Sequence, residues 1–141
     1  MTSPDMDAAL LDTDILSEVI KQRNATIIAK AVAYLGQHGP FIISAFSRFE
    51  VRRGYLHKNA GQQLVRFAVF CSHSVVLPVT DAVLDRAAYL WAEARHGGHS
   101  CGDADLSIAA SALEHGLVLV TGNLRHFAWV TGLKIEDWRT P

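Results

Sequence analysis

The chain has 141 residues and a mass of 15.4 kDa; half of it is hydrophobic and 19% is charged. That is too apolar for a disordered chain and enough to fill one ordinary core, so residues 1–141 are read as a single domain. Thirteen Lys and Arg stand against 14 Asp and Glu, a net charge of −1. This excludes a protein that grips nucleic acid through bulk positive charge, although a local basic surface is still allowed.

In chain order, Ala8–Leu11 is a short apolar run that suits a buried strand. Asp14–Gln22 reads as a first helix. Ala25–Leu35, with Ile28, Ala31, Val32 and Leu35 at three-to-four spacing, reads as a second, ended by Gly36 and Gly39. Phe41–Ile43 is a second strand. Ser44 can cap a helix running to about Lys58, and Gln62–Ser72 is a further helix with Leu64, Phe67, Ala68 and Cys71 on one face. Ser74–Leu77 is a β-branched third strand. Thr80 caps a helix to about Arg95, a loop spans 96–102, and Asp103–His115 is a helix stopped by Gly116. Leu117–Val120 is a fourth strand and Lys134–Glu136 a fifth. Cys71 and Cys101 show no paired spacing, which predicts free thiols in a reducing compartment. With no basic leader and no apolar run near the roughly 18 residues of a membrane span, the expected location is the cytoplasm.

Strands alternating with helices predict a three-layer α/β/α sandwich around a central, mainly parallel sheet of four to five strands. Such sheets place their sites at the carboxyl ends of the strands. Asp12-Thr13-Asp14 follows the first strand, and Ser44 follows the second, with Glu50 six residues on. Asp103-Ala104-Asp105 opens the late helix, and Thr121-Gly122-Asn123 follows the fourth strand. At 100° per residue Glu50 falls about 40° from Phe46, and Asp105 aligns with Ala109 and Ala112. Two carboxylates on inward faces need a cation, a hydrogen-bonded partner or a raised pKa. A divalent ion meets that need for several at once, and oxygen ligands favour magnesium or manganese over zinc. Singly, each residue has a plainer reading: Asp12 and Thr121-Gly122-Asn123 as turns, Asp14 and Asp103 as helix caps, and Glu50 as a partner of Arg53.

The segments LLDTDILSE, ISAFSRFEVRRGY, GDADLSIAASALEHGLVLVTGNLRHF and GLKIEDW, in that order, resemble the PIN-domain ribonucleases, in particular the VapC toxins of bacterial toxin–antitoxin pairs. The resemblance covers about Leu10 to Trp138. It implies a PIN-like fold and a magnesium- or manganese-dependent endoribonuclease, usually dimeric, inhibited by a cognate VapB-type antitoxin. The family's motif positions fall on Asp12, Glu50, Asp105, Thr121 and Asn123, and Ile108-Ala109-Ala110 selects Asp105 over Asp103. Asn123 departs from members that carry Asp there, which leaves three certain carboxylates.

On this reading Asp12, Glu50 and Asp105 hold the ion, Asn123 and Thr121 orient its surroundings, and water attacks an RNA phosphodiester. Arg48, Arg52, Arg53 and Lys58, on the helix carrying Glu50, are candidates for RNA phosphates, transfer RNA being a common target among the family's members, or else a solvated face. Tyr34, Trp91 and Trp129 are expected in the core or an interface. Ile15, Val19, Ile20, Ile27, Ile28 and Val32 give the first two helices more apolar surface than one sheet face needs, which suggests cover by an antitoxin or a second protomer. Two rivals stand beside this. LLDTD also resembles haloacid-dehalogenase-type phosphatases, with Asp12 as nucleophile, but no lysine follows a suitable strand and Glu50 is left without a role. The other rival is a PIN-like binding module weakened by Asn123.

Overall fold

The computed structural model of the protein describes residues 5–141. The strands are β1 (Ala9–Leu11), β2 (Ile42–Ser44), β3 (Val75–Leu77), β4 (Val118–Val120) and β5 (Ile135–Glu136). They form one sheet in the order β3-β2-β1-β4-β5, with every pairing parallel. The helices are α1 (Thr13–Lys21), α2 (Ala25–His38), α3 (Ala45–His57), α4 (Gly61–Ser72), α5 (Asp81–His96), α6 (Asp103–His115) and α7 (Leu124–Phe127). No helix among the described residues is long and apolar enough to cross a membrane.

Both sheet faces are covered, and the strands divide their side chains accordingly. Ala9, Leu11, Ile43, Val118 and Val120 point into one core with Ile15, Leu16, Ile27, Tyr34 and Phe67. Leu10, Ile42 and Leu119 point into the other with Val83, Leu90, Leu106, Ala109 and Phe127. This period-two split explains why the strands read as continuous apolar runs. In α6, every residue from Leu106 to Ala112 is buried. Five of the seven are Ala or Ser, at 107, 109, 110, 111 and 112, small enough to let the backbone lie close to its neighbours.

Several boundaries differ from expectation for local reasons. Gly36 does not end α2; the helix runs to His38, and Gly39 takes the exit with φ 77°. The cap of α1 is Asp12, whose carboxylate accepts from Thr13 N, so Asp14 lies in the first turn instead. Asp103 caps nothing, because Gly102 occupies that position without a side-chain bond. Ser44 and Thr80 cap α3 and α5 as expected. Ala68 is exposed rather than inward, and Trp91 also faces solvent. The single turn of α7 has no apolar period long enough to be seen in the sequence.

Trp138, beyond β5, is fully buried against Tyr34 and Phe41 at ring separations of 5.6 and 6.5 Å. Its indole N–H finds no partner among the described residues, so its contribution there is packing. Trp138→Ala is expected to lower unfolding stability by about 3–5 kcal/mol, measured by urea denaturation.

Candidate metal-dependent active site

The strand order reverses between β1 and β4, and the chain leaves both at the same edge. Asp12 N donates to Val120 O at 2.8 Å, and Thr121 N to Glu136 O at 2.9 Å, so residues 12 and 121 begin where the ladder ends. This is the topological switch point where parallel sheets carry their sites.

Asp12 is buried, with 6% of its surface accessible. One carboxylate oxygen accepts from Thr13 N at 2.8 Å and the other from the Thr121 hydroxyl at 2.8 Å. Among the described residues no cation offsets its charge. Burial pushes its carboxyl up to about 6, Asp14 and Asp105 add to the shift, and the bonds from Thr121 and Thr13 pull against it. Thr121 in turn accepts from Asn123 N at 3.1 Å, which folds the β4–α7 turn onto Asp12. Asn123 itself is exposed at the start of α7.

Glu50 comes from the middle of α3 and is partly buried. The Thr13 hydroxyl donates to Glu50 Oε1 at 2.8 Å. That hydroxyl also lies 2.9 Å from the buried Ser47 Oγ. Its single proton goes to the carboxylate, which can only accept, so Ser47 donates back. Thr13 therefore ties the α3 carboxylate to the residue after Asp12, a role that nothing in the sequence pattern signalled. Arg53 reaches Glu50 more loosely, at 3.7 Å, while its guanidinium sits 5.0 Å over the Phe49 ring. Arg48 and Arg52 line a groove with Phe67 and Cys71 of α4, away from Glu50, and Lys58 lies past the end of the helix. Of the four basic candidates on α3, the one beside the acidic edge is Arg53.

Asp105, in the first turn of α6, meets His126 of α7, with Nε2 to Oδ2 at 2.8 Å. Asp14 accepts from Ile15 N at 2.7 Å and from Gly122 N at 2.9 Å. Partial desolvation still holds its carboxyl above the usual range. Arg139 closes this corner: it bonds Asp137 and the Gly122 carbonyl and lies near Asp14. A Cβ at Gly122 would stand 2.6 Å from Asp14 Oδ2 and 2.8 Å from Arg139 Cζ, so a side chain there would displace the ends of both.

The fold thus gathers Asp12, Glu50, Asp105, Thr121 and Asn123 at one edge. Glu50 is linked to it through Thr13 and Asp105 through its field on Asp12. Among the described residues, the set of three metal-ligating side chains whose donor atoms all lie within 4.8 Å of one another is Cys101, Asp105 and His126. Asp12 and Glu50 are not members of that set. Neither His126 nor Arg139 had been singled out from the sequence, since each acts through a contact across the fold.

A five-stranded parallel sheet with acidic residues converging at its switch point is the architecture of a PIN domain, and the chain belongs to that family: the PIN-domain family model matches residues 9–132. Within the family its relatives are VapC ribonucleases. The tRNA(fMet)-specific endonuclease VapC of Shigella flexneri is 30% identical over 130 residues, 92% of this chain and 96% of that protein. Ribonuclease VapC2 of Haemophilus influenzae is 30% identical over 132 residues, with the same coverage. Among solved structures, DNA-bound VapBC from Salmonella typhimurium matches with a TM-score of 0.83 at 29% identity, covering 94% of this chain and 99% of that one. VapBC-1 of nontypeable Haemophilus influenzae matches with a TM-score of 0.80 at 26% identity, covering 92% and 97%. The phosphatase expectation finds no support in these relationships.

Proposed function

We propose that this chain is a cytoplasmic VapC-type toxin, an endoribonuclease that depends on Mg2+ or Mn2+ and is held inactive by a cognate VapB-type antitoxin. The observation that carries the metal dependence is Asp12, a buried carboxylate with two fixed hydrogen bonds and no cationic partner among the described residues. Asp12, Glu50 and Asp105 offer oxygen ligands alone, a donor set that fits a hard divalent ion. When bound, such an ion activates water for attack on phosphorus and offsets the charge that develops on the phosphate.

The chain's own residues hold this arrangement ready. Thr121 and Thr13 N fix the Asp12 rotamer. Thr13 aims Glu50, His126 aims Asp105, and Asn123 N holds Thr121. Arg53, and Arg139 at the opposite corner, are the cations nearest the acidic edge and would meet the phosphates of a bound RNA. Arg48, Arg52 and Lys58 would meet the strand further out, if the RNA extends along α3. The relatives' activity on transfer RNA makes that the first substrate to try.

Of the apolar residues expected to be surplus on the first helices, Ile15, Val19 and Ile27 are taken up by the core, while Val32 is exposed and, with the exposed Leu35, lines a groove shared with Val19, Ile20, Ile28 and Phe70. The antitoxin is proposed to lie there. Leu84 and Trp91, two turns apart on one side of α5, form a second exposed apolar pair, which suits a homodimer contact.

The direct test incubates the purified chain with total RNA in magnesium, in manganese or in chelator. Discrete products in either metal, absent in chelator, are expected; products that persist in chelator would refute the metal dependence. Thr13→Val keeps the shape but removes the tie to Glu50. It is expected to raise the magnesium concentration for half-maximal cleavage by about tenfold, read from a metal titration.

A further inference from the structure

Cys101, Asp105 and His126 bring a sulfur, a carboxylate and an imidazole to one point with all donor atoms within 4.8 Å of one another. The oxygen-rich edge around Asp12 has no such mixture. We propose that these three side chains form a zinc site that takes Asp105 from the magnesium site, so that Zn2+ inhibits the nuclease. The inhibition rests on the nuclease reading; the zinc site stands on its own geometry.

Three protein ligands of N, S and O type with a fourth position open is a common zinc arrangement. Zinc bonds of about 2.0–2.3 Å imply donor separations of roughly 3.3–3.8 Å, so donors up to 4.8 Å apart need to close by about 1.5 Å at most and the His126–Asp105 pair needs to open by about 0.5 Å. His126 and Asp105 are already at 2.8 Å, and the ion would insert between them. Cys101 precedes the Gly102 cap of α6 and Asp105 lies in its first turn, so the two side chains meet at that helix start. The support around the trio is rigid. Trp129 donates its indole N–H to the His126 carbonyl at 2.9 Å, and its ring stacks on His99 at 4.9 Å. The loop carrying Cys101 and the helix carrying His126 are thereby clamped to each other. Asp12 and Asp105 both place negative charge near the Cys101 sulfur. The same two charges favour a cation beside the sulfur, and binding releases the thiol proton.

Zinc and magnesium prefer different ligands here but share Asp105. Sulfur and imidazole favour zinc strongly over magnesium, so a small amount of zinc competes against a large excess of magnesium. Asp105 held by zinc is drawn toward α7 and away from Asp12.

The probe is Co2+, which reports a thiolate ligand as a sulfur-to-metal charge-transfer band. The band is expected with the wild-type chain and with Cys71→Ser, to be lost in Cys101→Ser, and to be displaced by Zn2+. Zinc affinity, measured by competition with a chromophoric chelator in excess magnesium, is expected to fall at least about tenfold in Cys101→Ser and in His126→Ala. The ratio of RNA cleavage with and without zinc should then become less sensitive to zinc by the same factor in Cys101→Ser. A wild-type chain with no band, or a Cys101→Ser chain with unchanged zinc affinity, overturns the proposal. A chain that shows the band but cleaves no RNA in magnesium keeps the zinc site and overturns the nuclease reading.

Discussion

Asp12→Asn is expected to abolish metal-dependent RNA cleavage, by at least about 100-fold, while making the metal-free protein more stable at neutral pH. The two effects share one cause. The carboxyl is raised from 3.8 to about 6 in the folded chain, so the folded state binds its proton more tightly than the unfolded state does. Stability from this group is therefore fully present below about pH 4, falls as pH rises through about 6, and is flat above. A shift of about 2 units corresponds to about 3 kcal/mol of charge strain at pH 7. Asparagine removes that strain and keeps the shape. Its carbonyl can still accept from Thr13 N, and its amide can donate to the Thr121 oxygen. The measurement is urea denaturation between pH 4 and 8 in chelator, as the difference between wild type and Asp12→Asn. That difference isolates Asp12 from Asp14, which is also raised. The variant should gain relative to wild type as pH increases, with the gain levelling off above about pH 7. Magnesium should then stabilise the wild type and leave the variant unmoved. A pH-independent difference would refute the charge strain, and unchanged cleavage would remove Asp12 from the active site.

How much of this was legible beforehand follows from what each residue does. The parallel sheet and its order of elements were written in the sequence because strands buried on both faces must be apolar throughout, and their helices carry local caps such as Ser44 and Thr80. Glu50 and Asp105 stood out because helical periodicity places them on inward faces, where a carboxylate needs a reason. Asp12 was visible only as the residue ending a strand; its burial comes from β4 and Thr121, 109 positions away. Thr13, His126 and Arg139 were not legible at all. Each is an ordinary surface-type residue whose role exists only through a partner far along the chain: Glu50 for Thr13, Asp105 for His126, and the Gly122 carbonyl for Arg139. The basic candidates on α3 show the opposite failure. A cluster in sequence is split by the helix itself, because residues two apart point nearly opposite ways, so Arg48 and Arg52 cannot share the face of Glu50.

Val32→Asp is expected to free the toxin from its antitoxin without loss of stability. Val32 is 64% exposed, so a carboxylate there is solvated in the free protein and costs the fold little. In a complex of the proposed kind the same position is desolvated among Leu35, Ile28 and Phe70, which line the groove between α2 and α4. A charge buried there without a partner weakens association by about 3 kcal/mol, roughly 100-fold in affinity. Arg66 and His73 line the α4 side of the same groove, and both can receive acidic groups of an amphipathic antitoxin segment. Calorimetry with the cognate antitoxin measures the affinity. A cleavage assay at fixed antitoxin measures the consequence: Val32→Asp should stay active at antitoxin concentrations that silence the wild type. If affinity is unchanged while the variant becomes monomeric by sedimentation, the groove holds a second protomer, and the antitoxin must bind elsewhere, with the exposed Leu84 and Trp91 face of α5 the next surface to charge.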